Sequence, residues 1–401
     1  MYNRLRTALA VLAVLALVLT ACGGTSSEET TAPTTGSTMA QTTTTAGGTP
    51  TTMGGETTSS SMAETCDTPD PVRLQLQWFA QAQFAGYYAA LDKGFYTDHC
   101  LDVTILEGGV DIVPQQVLAA GGAEFGIAWV PKALVSRQSG ADIINVGQVF
   151  ERSGTLEVSL KDAGITSPED WADKKVGNWG FGNEYELTAA IEKYDVLNVE
   201  LVAQDFTMSA LLNGEIDSAE AMTYNEYAQV LEAQNPDTGE LYQPEDLNVI
   251  NFNDVGTAML QDSLWVNADW ISGNEDVATR FLEASFEGWI YCRDNPGDCV
   301  QIVLDNGSTL GESHQTWQLN EINALIWPAS NGIGVMNDAL WNQTVDIATT
   351  QIPDLQGVEI SNDVYRTDLA ETAVANLEQA GLDTQGNDWQ KASVTLNPGG
   401  E

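Results

Sequence analysis

Three stretches of the chain gather side-chain types that suit the binding of a small molecule. Trp179-Gly180-Phe181-Gly182-Asn183-Glu184 sets two aromatics around glycines that permit a tight turn. Asn183, with Glu186 three residues on, has the spacing of a helix N-cap, and the free N–H groups of such a first turn accept a carbonyl, a ring nitrogen or an anion. Glu220-Ala221-Met222-Thr223-Tyr224-Asn225-Glu226-Tyr227 places an acid, Glu220, in an otherwise apolar strand, where burial demands a partner. Lysine and arginine are scarce, so the expected partner is a ligand amine or amidine, with Tyr224 and Asn225 beside it. In the third stretch Trp78 closes an alternating segment, Gln81 and Gln83 lie in the following loop, and Tyr87 stands on the next helix. Trp129 ends another apolar run, and Asp254 lies near a later strand. The candidate ligand contacts are therefore Trp78, Gln81, Gln83, Tyr87, Trp129, Trp179, Phe181, Asn183, Glu184, Glu220, Tyr224, Asn225 and Asp254. Aromatics at strand ends suit a flat heteroaromatic ring, whereas a small oxyanion calls for arginine or helix N-termini.

The elements that must position these residues read as alternating strands and helices. Val72, Leu74, Leu76 and Trp78 alternate with polar neighbours, which is strand periodicity. Phe84, Tyr87, Tyr88 and Leu91 fall at helical spacing, and Gly94 stops the helix. Further strands are expected at Val103–Leu106, Phe125–Trp129, Ile143–Val149, Val176–Trp179 and Ala219–Met222. Helices are expected around Val117–Ala120, Leu187–Tyr194, Thr223–Ala233 and Asp276–Arg293. This alternation argues for open, largely parallel α/β sheets, which place ligands at the carboxyl ends of their strands.

Composition narrows the function. The 57 acids against 15 lysines and arginines give a net charge of −42, which leaves too few cations to neutralise phosphates and excludes nucleic acid as a partner. There is no nucleophile elbow, and the two histidines, His99 and His314, are far apart, so no catalytic residue, metal or cofactor is expected. His314 and Trp317 read as structural. Arg4 and Arg6 precede an apolar run from Ala8 to Leu19, too short for the ~20 residues that span a bilayer. The run closes on Leu19-Thr20-Ala21-Cys22, so residues 1–22 read as a signal peptide with a lipobox and Cys22 as the lipidated residue. Residues 23–65, rich in Thr, Ser and Gly and without aromatics, read as a disordered linker reaching on the order of 36 Å. Four cysteines remain and allow three pairings. The short turn between Cys292 and Cys299 points to a local bridge, with Cys66 then joining Cys100.

The opening segment Leu76-Gln77-Trp78-Phe79-Ala80-Gln81-Ala82-Gln83-Phe84-Ala85-Gly86-Tyr87-Tyr88 resembles the solute-binding proteins of ABC importers in the thiamine-pyrimidine-synthase-like family, a group similar to nitrate, sulfonate and taurine binders. Asp92-Lys93-Gly94-Phe95-Tyr96 and Leu101-Asp102-Val103 fit the same pattern, with Cys100 where glycine is frequent. Gly177–Glu184 and Met222–Glu226 resemble the members that bind pyrimidine precursors of thiamine or riboflavin. The resemblance implies a two-lobed periplasmic-binding-protein fold of type II, with two parallel-rich sheets and a cleft between lobes. Lobe 1 would take 66–156 and 262–401, and lobe 2 would take 157–261, with crossings near Thr155–Leu160 and Gly256–Leu264. It further implies a monomeric, lipid-anchored extracytoplasmic receptor that hands a pyrimidine-type ligand to an ABC permease. Riboflavin and an alkanesulfonate or taurine are the alternatives. Relatives on this fold that synthesise the thiamine pyrimidine carry an iron site with a cysteine-rich motif and several histidines, from which this chain departs.

Overall fold

The computed structural model describes residues 66–401, so the expected lipobox at Cys22 and linker at 23–65 lie outside the described residues. Strands form where period-two patterning is strongest. β1 (Asp70–Gln75) buries Val72 and Leu74 and turns Arg73 outward to pair with Glu124. β2 (Leu101–Leu106), β3 (Phe125–Ala128) and β4 (Ile143–Gln148) follow. The next group is β5 (Thr155–Leu160), β6 (Lys175–Asn178), β7 (Glu200–Ala203), β8 (Ala219–Met222) and β9 (Leu247–Asn251). β10 (Ser263–Asn267) then returns to the first group.

Among the described residues these strands make three sheets, ordered β2-β1-β3-β10-β4, β8-β5-β9 and β6-β7. β1, β2 and β3 run parallel, as do β6 and β7. β10 is antiparallel to both of its neighbours, and β5 is antiparallel to β8 and β9. The sheets are thus more mixed in direction than the parallel-rich pattern expected. Thr155–Leu160 is itself a strand, so the chain leaves the first sheet through residues 149–154 and returns through 252–262. A segment that goes out beside one that comes back must run antiparallel to it, which accounts for β5 and β9.

The first sheet is covered by helices Ala85–Asp92 and Glu275–Asp294, which approach closely because each presents a glycine. A Cβ on Gly288 would stand 2.0 Å from the Gly86 carbonyl oxygen. Phe281 stacks on Phe125 with centroids 3.9 Å apart and on Tyr96 at 5.3 Å. Burying each such ring contributes on the order of 2–3 kcal/mol. Separate clusters centred on Val158, Ala221 and Val230, and on Trp171, Leu187 and Phe252, back the other two sheets. Both expected disulfides are present, Cys66–Cys100 and Cys292–Cys299. The second joins the last turn of helix Glu275–Asp294 to the first turn of helix Pro296–Asp305.

Candidate functional site

The carboxyl ends of six strands, drawn from all three sheets, meet at one cavity of about 330 Å³. Beyond β1 lie Gln77, Trp78, Gln81 and Gln83, and beyond β2 lie the loop from Gly109 to Val113 and the start of helix Pro114–Ala119, with Gln115. Trp129 and Lys132 follow β3, and Trp179, Phe181 and Asn183 follow β6. Phe206 follows β7, and Tyr224, Asn225 and Glu226 follow β8, with Met222 at that strand's end. This is where an open α/β sheet collects loops of different origin.

Behind the β1 and β3 ends stands Asp262, one residue before β10. One carboxylate oxygen accepts from Gln77 Nε2 at 2.6 Å and Trp129 Nε1 at 2.8 Å, and the other accepts from Gln83 Nε2 at 2.8 Å. Gln81 Nε2 in turn donates to Gln83 Oε1. Burial pushes the Asp262 carboxyl up to about 6, and its donors limit that rise. The network locks the rotamers of four cavity residues through one acid.

Lys132 reaches across from the first turn of helix Val130–Gln138. Its Nζ donates to Asn183 Oδ1 at 2.6 Å and lies 4.7 Å from the Trp129 ring centroid. Burial pulls its ammonium down to about 8 against the opposing attraction of Glu220, Glu184 and Asp262. Phe206 lies between two indoles, 4.7 Å from Trp78 and 6.5 Å from Trp179, and the Trp179 Nε1–H is held by the Asp205 carbonyl. These three rings make the aromatic face of the cavity.

On the β8 side Glu226 is the acid at the wall. Its Oε2 accepts from Met222 N–H at 3.0 Å and its Oε1 from Asn225 Nδ2 at 2.7 Å. Burial raises its carboxyl to about 7, opposed by those hydrogen bonds and by His314. Gln115, also lining the cavity, is buried with no hydrogen-bond partner on its Oε1. The cavity therefore combines an aromatic face, one amine and a set of oxygen acceptors.

Nine of the residues singled out from sequence line this cavity: Trp78, Gln81, Gln83, Trp129, Trp179, Phe181, Asn183, Tyr224 and Asn225. Four do not. Tyr87 is buried edge-on against Trp289, because its helix face is the one packed onto helix Glu275–Asp294. Glu220 is fully buried within β8, accepting from Trp179 N–H at 2.9 Å, with its other oxygen unpartnered. Glu184 folds back to accept from Gly182 N–H at 2.8 Å and closes the turn. Asp254 is exposed on the short helix Phe252–Val255.

The expected N-cap is not formed either. Helix Tyr185–Lys193 begins after Glu184 without a side-chain cap, and Asn183 donates to Gly180 carbonyl instead. Glu186 turns inward to accept from Ser153 Oγ and Met259 N–H, both at 2.7 Å. Sequence reasoning missed Asp262, Lys132, Phe206 and Glu226. Phe206 carried a readable signal, an aromatic just past the end of a strand, and Glu226 sat inside a segment already singled out.

The architecture is the periplasmic-binding-protein fold. The periplasmic aliphatic sulphonate-binding protein SsuA of Escherichia coli superposes with a TM-score of 0.52 at 14% identity, covering 82% of this chain and 94% of that one. The chain belongs to the NMT1/THI5-like family, whose model matches residues 81–299. Among its relatives, the formylaminopyrimidine-binding protein of Halalkalibacterium halodurans is 23% identical over 59% of this chain and 71% of its own length. The riboflavin-binding protein RibY of Chloroflexus aurantiacus is 23% identical over 69% of this chain and 80% of its own. A 4-amino-5-hydroxymethyl-2-methylpyrimidine phosphate synthase of Aspergillus parasiticus is 21% identical over 60% and 72%.

Proposed function

We propose that this protein is the extracytoplasmic solute-binding receptor of an ABC importer, and that its ligand is a small heteroaromatic of the thiamine-pyrimidine type. The observation that carries the reading is the convergence of six strand ends on a cavity whose faces are three aromatic rings and a buried acid, Glu226. An aminopyrimidine ring stacks on the indoles, and its exocyclic amine donates to Glu226 and Gln115. The relatives named for formylaminopyrimidine and riboflavin binding support a receptor over a synthase. The disulfide-bonded state of Cys66, Cys100, Cys292 and Cys299 agrees with an exported chain. In this reading 66–154 with 262–401 is one lobe and 155–261 the other, the expected boundary at 156 being moved to the start of β5, whose Thr155 and Leu156 pair with β8 and β9. The lobes close about segments 149–154 and 252–262, Cys22 carries the lipid anchor, and the receptor acts as a monomer.

Riboflavin is the second reading, favoured by one observation. The mouth of the cavity carries exposed Val110, Ile112, Val113 and Phe181, which suit a ring system larger than a pyrimidine. Calorimetric titration with 4-amino-5-hydroxymethyl-2-methylpyrimidine, its formylamino precursor, riboflavin and taurine tests both. Saturable binding of a pyrimidine alone supports the first reading, and binding of riboflavin alone supports the second. Taurine binding with neither of the others sinks both.

A further inference from the structure

Behind the Asn225–Glu226 wall lies a buried polar pair, His314 and Glu232, neither of which lines that cavity. His314, on helix Glu312–Ile326, places Nε2 3.0 Å from Asn225 Oδ1. Its Nδ1 faces the two oxygens of Glu232 at 2.8 and 3.1 Å. Asn225 Nδ2 then donates to Glu226 Oε1. All four side chains are buried, so none can turn to water for a replacement partner. We propose that His314, held by Glu232, is a positioning residue that fixes the orientation of the Asn225 amide and thereby holds the Glu226 carboxylate for an amine-bearing ligand.

The argument is one of donor and acceptor matching. An amide has one oxygen and one NH₂, and turning it over exchanges them. If the Asn225 oxygen faced Glu226 in its ionised form, the form that would receive a ligand amine, two acceptors would oppose each other at hydrogen-bond distance. With the oxygen turned to His314, the NH₂ meets the carboxylate and every contact pairs a donor with an acceptor. This arrangement requires a hydrogen on Nε2. Whether the proton between Nδ1 and Glu232 rests on the ring or on the acid, Nε2 remains the donor. Glu232 is thus what orients the ring, in the way a carboxylate commonly sets the tautomer of a histidine. The inference rests on the reading of the cavity as the ligand site, and it deepens that reading by naming residues that act without touching the ligand.

Two measurements on the whole protein test it, and one needs no ligand. The chain contains only two histidines, so ¹⁵N-labelled imidazole gives two spin systems, which His314→Gln assigns. At pH 8, where Glu226 is mostly ionised, a hydrogen on His314 Nε2 is expected, and a bare Nε2 overturns the proposal. The second is affinity for 4-amino-5-hydroxymethyl-2-methylpyrimidine. His314→Leu, which cannot donate to Asn225, is expected to bind ~10-fold more weakly or worse. His314→Gln, which can donate, is expected to stay within about threefold of the parent. Equal losses in the two variants would mean that His314 is merely packed there, and that overturns the proposal. If the parent protein binds none of the pyrimidines, the functional reading fails by itself and the imidazole spectrum alone decides the role of His314.

Discussion

Behind the β1 and β3 ends Asp262 accepts three side-chain N–H groups, whereas within β8 the equally buried Glu220 accepts a single backbone N–H. Burial disfavours the charged form of both, yet the outcomes differ. Asp262 rises only to about 6, while Glu220, with one oxygen unpartnered and Glu184 and Glu186 nearby, rises to about 8. At neutral pH Asp262 is mostly ionised and Glu220 mostly protonated. The donors aimed at a carboxylate and the acids beside it separate two groups of similar depth. One side of the cavity is therefore braced by a charged hub, and the other is backed by a mostly neutral acid that accepts a single backbone N–H.

The sharpest way to break this comparison is to remove each acid in turn. Asp262→Leu leaves the N–H groups of buried Gln83 and Trp129 and of half-buried Gln77 without an acceptor, which is expected to cost about 3 kcal/mol. Glu220→Gln keeps an oxygen for the Trp179 N–H and replaces a mostly neutral group, so its cost is expected to be under about 1 kcal/mol. Urea unfolding of both variants measures the difference. Similar losses would show that the hub is no more than one hydrogen bond among many.

The two acids of the β8 segment separate by affinity as well. Glu226 lines the cavity and Glu220 does not. Glu226→Gln is expected to weaken an aminopyrimidine about tenfold by removing a charge-assisted acceptor, while Glu220→Gln changes affinity by less than about twofold. Titration calorimetry at pH 8, where Glu226 is mostly ionised, gives the widest separation. A larger loss at Glu220 would return the ligand acid to the position first read from sequence.

Much of the fold is legible in the sequence. The alternation of Val72, Leu74 and Leu76 marks a strand because only a pleated chain puts every second side chain into a core, and β8 falls on the residues its apolar run indicated. Trp78, Trp129 and Trp179 were legible as cavity residues for the same reason, since each ends such a run. Asp262 was not, because its partners Gln83 and Trp129 stand 179 and 133 residues away and no local pattern carries that pairing. Lys132 follows Pro131 in what reads as an ordinary helix start, and its meaning comes only from Asn183, 51 residues on. Periodicity names an element and its inner face. It does not say which strand will lie beside it, which is also why the antiparallel entry of β10 was not foreseen.

The protonation contrast has a signature in stability. Asp262, Glu226 and Glu220 all have folded values above the unfolded range of about 4. The folded state then holds more protons than the unfolded state between pH 4 and pH 8. Stability from these groups is fully present below pH 4 and is lost as pH rises through their folded values. Each group contributes a slope of up to ~1.4 kcal/mol per pH unit across its own window. Lys132, pulled down to about 8, acts in the opposite sense, adding stability as pH rises from 8 towards 10, and so leaves the lower window clear. Glu220→Gln is expected to flatten the fall between pH 5 and 8, whereas Asp262→Asn flattens only the part below pH 6. Unfolding free energies at four pH values distinguish the two, and parallel curves would mean the acids do not differ.

The smallest expected effect lies at the cavity mouth, where two aromatics two residues apart have opposite surroundings. Trp179 is buried, while Phe181 is 95% exposed and stands at φ +56 between Gly180 and Gly182, which also have positive φ. A phenylalanine there bears backbone strain of about 1 kcal/mol and covers almost nothing. Phe181→Gly relieves that strain but loosens the unfolded chain, so the net change in stability is expected to stay within about 0.5 kcal/mol. If the ring is kept because it folds down on a bound ligand, the same substitution weakens binding several-fold with the melting temperature unmoved. If neither quantity changes, the exposed ring has no part in the site, and the aromatic face ends with Trp78, Phe206 and Trp179.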